Sequence, residues 1–291
     1  MGVLKHCEAG PFGAGLFSAD TLFSHCVQRS DRTGERPMGD EGLMSTDTGR
    51  PPRLVIDPSD YAAVYAIGDV HGCLDALLEL EDMIREDAQS IEGRKLIVML
   101  GDYVDRGPKS AAVLYHLTAS PPSGFERVCL RGNHDDAFLA FLDGDPAGDW
   151  VLDHGAETTL ASYGVEIDGF TLPAGRFALR EAIRNAVPSS HVAFLRSLPV
   201  LLTMGTDVFA HAGLKPGRPL SEQTDDDLMW IRRSFLDLGP GLPVRVFHGH
   251  TPMREAHVGP DRVSLDTHCY RSGRLTAARV LAGDVTILSV G

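Results

Sequence analysis

Ala63-Val64-Tyr65-Ala66-Ile67-Gly68-Asp69-Val70-His71-Gly72 is the stretch that decides the reading of this chain. Five apolar residues stopping at a glycine, an aspartate and a histidine read as a buried strand that hands over to a polar loop. Behind the loop, Leu74, Leu77, Leu78, Met83 and Ile84 recur at helical spacing and predict a helix over 74–88. The same punctuation returns twice. Lys95–Leu100 reads as a strand that stops at Gly101-Asp102-Tyr103-Val104-Asp105-Arg106-Gly107, with a helix over 109–118. Arg127–Leu130 stops at Gly132-Asn133-His134-Asp135, with a helix near 135–142. Strand, polar loop and helix in this order predict an α/β fold.

Working outward, strands are predicted over 207–210, 244–247 and 262–265. The first two run into His211-Ala212-Gly213 and His248-Gly249-His250-Thr251, and 275–290 reads as a closing hairpin around Gly283-Asp284. Residues 143–199 are mainly helical in pattern and carry none of the motifs, so they are expected to form a cap-like insertion in a domain spanning 54–291. Residues 1–53 are rich in Gly, Ser, Thr, Asp and Arg and end in Arg50-Pro51-Pro52-Arg53. They are expected to be a disordered N-terminal extension. The mildly apolar stretch 10–17 is too broken by Gly and Pro to read as a secretory leader, and Met38 and Met44 offer alternative starts.

Composition narrows the function classes. With 291 residues, 43% hydrophobic and 23% charged, the chain has the make-up of a soluble enzyme. No run approaches the ~20 apolar residues that span a bilayer, so no membrane role is expected. A net charge of -13 repels a polyanion over a broad surface, which argues against nucleic-acid binding. Cys7, Cys26, Cys73, Cys129 and Cys269 are odd in number and form no Cys-x-x-Cys pair, which favours reduced thiols and a cytoplasmic setting.

The five polar motifs all follow predicted strands, and the carboxyl ends of strands line the ligand crevice in open α/β sheets. Their carboxylate, imidazole and amide donors suit manganese, iron or zinc better than copper or calcium. There are enough donors for two ions. Two cations ~3.5–4 Å apart are a known device for phosphoryl transfer, and they need a carboxylate able to bridge them. Asp102 is the candidate.

These motifs, in this order and spacing over about 63–251, resemble those of the phosphoprotein phosphatase family within the calcineurin-like metallophosphoesterase superfamily. The resemblance implies two mixed β-sheets packed as a sandwich and flanked by helices. It implies two divalent metal ions, Mn²⁺ foremost with Fe or Zn also fitting, one held by Asp69, His71 and Asp102 and the other by Asp102, Asn133, His211 and His248. It also implies His134 as general acid oriented by Asp105, and Arg106 as phosphate ligand. Arg232 in Trp230-Ile231-Arg232 would be a second phosphate-binding arginine, although Arg233 adjoins it and Asp225, Asp226 and Asp227 offer a plain salt bridge. His250 would point to the same side as His248 on an extended backbone, as ligand, hydrogen-bond partner or packing residue. Cys73 beside Gly72 reads as a packing residue rather than a redox thiol.

The function expected from this resemblance is a bacterial-type serine/threonine protein phosphatase, a phosphomonoesterase acting on a phosphoprotein or phosphopeptide by direct attack of a metal-bridging hydroxide. A dinucleoside polyphosphate hydrolase of the same superfamily is the alternative, and His71 argues against it because those enzymes commonly carry Gln there. A catalytically dead phosphopeptide-binding scaffold is the remote reading, opposed by the intact set of donors. Every candidate residue lies beyond Ile67. A chain starting at Met44 should therefore keep kcat and KM within a few-fold at unchanged metal content; a large loss of kcat would show that the N-terminal segment completes the site.

Overall fold

The computed structural model describes residues 51–166 and 173–291, so the expected disordered extension lies outside the described residues except for 51–53. The strands are β1 (Arg53–Val55), β2 (Ala63–Ile67), β3 (Lys95–Met99), β4 (Phe125–Cys129), β5 (Leu201–Met204), β6 (Asp207–Phe209), β7 (Arg245–His248), β8 (His257–Val258), β9 (Arg262–Ser264), β10 (Leu275–Leu281) and β11 (Asp284–Val290). The helices are α1 (Leu74–Asp87), α2 (Ser110–Thr118), α3 (Asn133–Asp143), α4 (Ala156–Ser162), α5 (Pro173–Ala186), α6 (Ser189–Ser197), α7 (Asp225–Trp230), α8 (Arg233–Leu238) and α9 (Cys269–Ser272). Two mixed sheets result. One has the order β11-β10-β2-β3-β4, the other β1-β5-β6-β7-β9-β8.

Strand alternation explains how they stack. In β2 and β3, Val64, Ala66, Leu96 and Val98 point into a core shared with Phe209, Phe247, Val263 and Leu265 of the second sheet. Tyr65, Ile67, Ile97 and Met99 point the other way, into a core with Leu77, Ile84, Val113 and Phe138 of the helices. Both faces of the parallel strands are covered, which is why they read as unbroken apolar runs. The far face of the second sheet, with Val208, Ala210 and Val246, is closed by Leu228, Met229 and Phe235 of α7 and α8. The protein is thus a sandwich of two sheets flanked by helices.

Helices α4, α5 and α6, from the segment expected to be cap-like, lie in the helical layer beside α2 and α3. Leu160, Leu179, Ile183 and Leu195 share the core of Phe138 and Phe141. Strands β1, β5 and β8 are additions to the sequence expectation. β1 follows Pro51-Pro52 and pairs with β5 alone, at an edge where the missing proline donors are tolerated.

The sheets meet backbone to backbone at Gly68, one residue past β2, where a Cβ would lie 2.3 Å from the Leu265 carbonyl oxygen, just past β9. Backbone stands on both sides, so Gly68→Ala must push the sheets apart. It should lower stability by about 1–3 kcal/mol, read as a shift of the urea midpoint; an unshifted midpoint would mean that the seam is compliant.

Candidate metal centre

The five motifs sit at the carboxyl ends of β2, β3 and β4 in one sheet and β6 and β7 in the other, so the site straddles the seam. Sharp loop turns aim the side chains: His71, Asp102, Asp105, Arg106 and His250 all take positive φ, between 43° and 71°. Asp135, in the first turn of α3, accepts hydrogen bonds from the backbone N–H groups of Asp102, Tyr103 and Gly132 at 2.8–2.9 Å and ties the second loop to the third. Burial, and then the charge of Asp102, push its carboxyl up to about 7.

Asp102 is the centre of the group. Its Oδ1 accepts from the His134 backbone N–H at 2.9 Å, while Oδ2 lies 3.5 Å from His71 Nε2 and 3.3 Å from His211 Nε2. His71 Nδ1 and His211 Nδ1 lie 2.8 and 2.9 Å from the carbonyls of Val104 and Leu100. Those carbonyls fix Nδ1 as donor and leave Nε2 for the centre, the orientation that metal-binding histidines require. Burial opposes charge on Asp102, but His211, His134 and His71 outweigh it and hold its carboxyl well below the usual range. His211 is the counterpart: burial disfavours its charge, yet Asp102 and Asp69 raise it to about 10.

Asp69 is buried beside them and accepts the His250 backbone N–H at 3.0 Å; burial and the charge of Asp266 raise its carboxyl well above the usual range. Between them stands Gly249, where a Cβ would fall 1.8 Å from Asp69 Oδ1, so only glycine fits. Asn133 Oδ1 lies 2.9 Å from His211 Nε2 and 2.8 Å from His250 Nδ1.

The two histidines of the fifth motif do not share a side. β7 ends at His248, and the left-handed turn at His250 sends its ring elsewhere. His248, expected among the ligands, has Nδ1 3.0 Å from the Gly249 carbonyl and Nε2 2.7 Å from Ser264 Oγ, with its ring against Phe235 at 5.1 Å. Both nitrogens are engaged away from the centre. His250 instead joins Asp102 and His211, and a second group joins Asp102 with His71 and His134; within each group the donor atoms lie within 4.8 Å of one another. His250 Nε2 is buried without a hydrogen-bond partner, and burial followed by the charge of His211 depresses its pKa to about 2. A buried imidazole that stays neutral, an orphaned nitrogen and clustered carboxylates form a donor set suited to divalent cations.

Asp266 is a further residue that the sequence reading passed over. It is buried directly past β9, accepts the His268 N–H at 2.8 Å, and is raised to about 6, chiefly by burial with Asp102 adding to it. Its strand-end position was the available signal. The acid pair is assembled too: His134 Nδ1 lies 2.7 Å from Asp105 Oδ2, and Thr159 Oγ1 donates to Asp105 Oδ1 at 2.8 Å. Burial lifts Asp105 to about 7 and lowers His134 to about 4, where Asp102 pulls it up and Arg106 pushes it down. Arg106 Nη2 reaches His134 Nε2 at 3.3 Å. Arg232 is exposed at the margin, its charge adding to the depression of His250. Of the three acids foreseen as its plain partners, Asp225 and Asp227 pair with Arg53 and Arg218.

These contacts separate the two histidines by experiment. His250→Ala should lower bound manganese per chain in elemental analysis and remove most phosphatase activity, whereas His248→Ala should keep its metal and lose stability. Equal metal content in the two variants would overturn the placement of His250 in the centre.

The chain is 27% identical over 234 residues to the bis(5'-nucleosyl)-tetraphosphatase PrpE of Bacillus velezensis, covering 73% of this chain and 87% of that protein. It is 28% identical over 235 residues to serine/threonine-protein phosphatase 1 of Salmonella typhimurium, covering 77% and 95%. A crystal structure described as a putative diadenosine tetraphosphatase superposes with a TM-score of 0.58 at 22% identity, covering 83% of this chain and 99% of that one. Among the described residues, no helix is long and apolar enough to cross a membrane. The family profile matches residues 62–285, nearly the whole sandwich and every motif loop, and by that match the chain belongs to the calcineurin-like phosphoesterases.

Proposed function

We propose that this phosphoesterase hydrolyses dinucleoside polyphosphates. The observation that carries the reading is the aromatic surface beside the acid. Trp150 lies edge-on to His134 with ring centroids 4.9 Å apart, stacks on His154 at 3.8 Å and meets Trp230 at 4.9 Å. Both tryptophans are partly exposed. The leaving group departs on the His134 side, so a nucleotide there would find rings on which to stack its base, a contact worth ~1–3 kcal/mol. The serine side chain that leaves from a phosphoserine peptide carries no ring. The resemblance to the bis(5'-nucleosyl)-tetraphosphatases supports the same choice over the protein phosphatase expected from His71.

Asp69, His71, Asp102, Asn133, His211 and His250 would hold two divalent cations, with Mn²⁺ the best match to this mixture of donors. Those ions supply Lewis acidity toward phosphate oxygens and an acidified water at neutral pH. The chain's own groups do the rest. Arg106 and Arg232 would bind the phosphate oxygens and stabilise the charge that builds there. Asp105, fixed by Thr159, holds the Nδ1–H of His134 so that Nε2 faces the departing oxygen and delivers the proton. Burial disfavours the charged form of His134, and the Arg106 guanidinium adds to that pressure. An incoming phosphate that draws the guanidinium away removes that pressure and adds negative charge, favouring the protonated imidazole. The second reading, a serine/threonine protein phosphatase in the cytoplasm, rests on the Salmonella relative and uses the same groups.

Steady-state kinetics with Mn²⁺ on diadenosine tetraphosphate, a phosphoserine peptide and p-nitrophenyl phosphate decides between them. The dinucleotide should give the highest kcat/KM, and Trp150→Ala should lower it about tenfold or more on that substrate while sparing the phosphoserine peptide, whose leaving serine carries no ring. A peptide preferred over the dinucleotide would reject the proposal in favour of the second reading.

A further inference from the structure

Tyr270 lies outside the motifs, yet the hydrogen bonds around the phosphate arginine run through it. Arg106 Nη1 donates to Tyr270 Oη at 2.5 Å, the guanidinium sits 5.0 Å from the centre of the Tyr270 ring, and that ring meets His71 edge-on at 5.3 Å. Tyr270 Oη also lies 2.6 Å from His268 Nε2. A guanidinium only donates, so the phenol oxygen accepts from Arg106, and a second hydrogen bond joins the phenol to His268. The three side chains form one hydrogen-bonded chain, Arg106–Tyr270–His268. Its far end is fixed by the backbone. His268 is held at φ 65°, an uncommon conformation for a non-glycine residue, with its N–H on the buried Asp266 carboxylate at 2.8 Å.

The two arms of Arg106 are unequal. The contact of Nη1 with Tyr270 is short, whereas that of Nη2 with His134 Nε2 is 3.3 Å, long for a hydrogen bond, and Nε is buried without a partner. A phosphate entering the site competes for the weaker arm. We infer that Tyr270, backed by His268, is the positioning residue that holds Arg106 by one arm while the other swings from His134 to the substrate phosphate. The swing frees His134 Nε2 as the phosphate binds, so binding and release of the acid become one movement. This rests on the phosphate role given to Arg106 and is independent of which phosphate compound is preferred.

Tyr270→Phe keeps the ring and removes only the hydroxyl. Measured by calorimetry with inorganic phosphate and by kinetics with p-nitrophenyl phosphate, it should weaken phosphate binding and raise KM about tenfold, in line with a hydrogen bond to a charged group, with a smaller change in kcat and an unchanged melting temperature. His268→Ala should act in the same direction but more mildly. In an Arg106→Ala background, Tyr270→Phe should add nothing. Parent-like phosphate affinity in Tyr270→Phe, or a further loss in the Arg106→Ala background, would overturn the inference. Parent-like affinity in Arg106→Ala would overturn it too, by removing its arginine, while leaving the preference among substrates untouched.

Discussion

The contact on which the rest depends is Asp102 Oδ2 between the Nε2 atoms of His71 and His211. It brings together loops from both sheets at a place where Asp69 and Asp266 are buried as well. Carboxylates that close cannot all stay ionised in a dry seam without positive charge among them. The raised Asp69 and Asp266 and the His211 proton are the molecule's own answer to that imbalance. Divalent cations held there would meet the same demand and would replace those protons. The electrostatics of the site and the joining of the sandwich are therefore one problem.

Much of this was legible in the sequence because burial on both faces leaves a plain signature. β2 and β3 are nearly continuous apolar runs, and each motif follows its strand with at most two residues between. What failed to show is equally physical. β1, β5 and β8 have between two and four residues, too few for a period of two to stand out. The resemblance put His248 at the centre, and an extended reading set His250 on the same side; β7 stops at His248, and a left-handed turn brings His250 instead beside Asp102 and His211. Asp135 and Asp266 were passed over because a single aspartate past a strand or in a helix's first turn is commonplace, and what sets these apart is burial. Sequence order also left open that the five loops come from two sheets, three from one and two from the other.

The segment that carries no motif shapes the reaction nonetheless. Thr159 clasps Asp105 by both its N–H and its carboxylate, and Gly155 accepts the N–H of Arg106 at 2.9 Å. Trp150 supplies the ring beside His134. The clustered carboxylates and imidazoles thus come from the strand ends, while His134 and Asp105, proposed as the acid and its partner, are braced from the helical layer.

Six residues at or beside the centre, His71, Asp102, Asp105, Arg106, His250 and His268, hold a backbone conformation that glycine adopts freely. Each costs about 1–2 kcal/mol relative to a relaxed backbone, and each keeps its side chain for chemistry or for bracing it. Glycine at any of these positions would ease the loop and erase that contribution. Selection of this chain for heat resistance alone would therefore drift toward a sturdier, inert protein. Its most stable sequence and its most active one are different sequences.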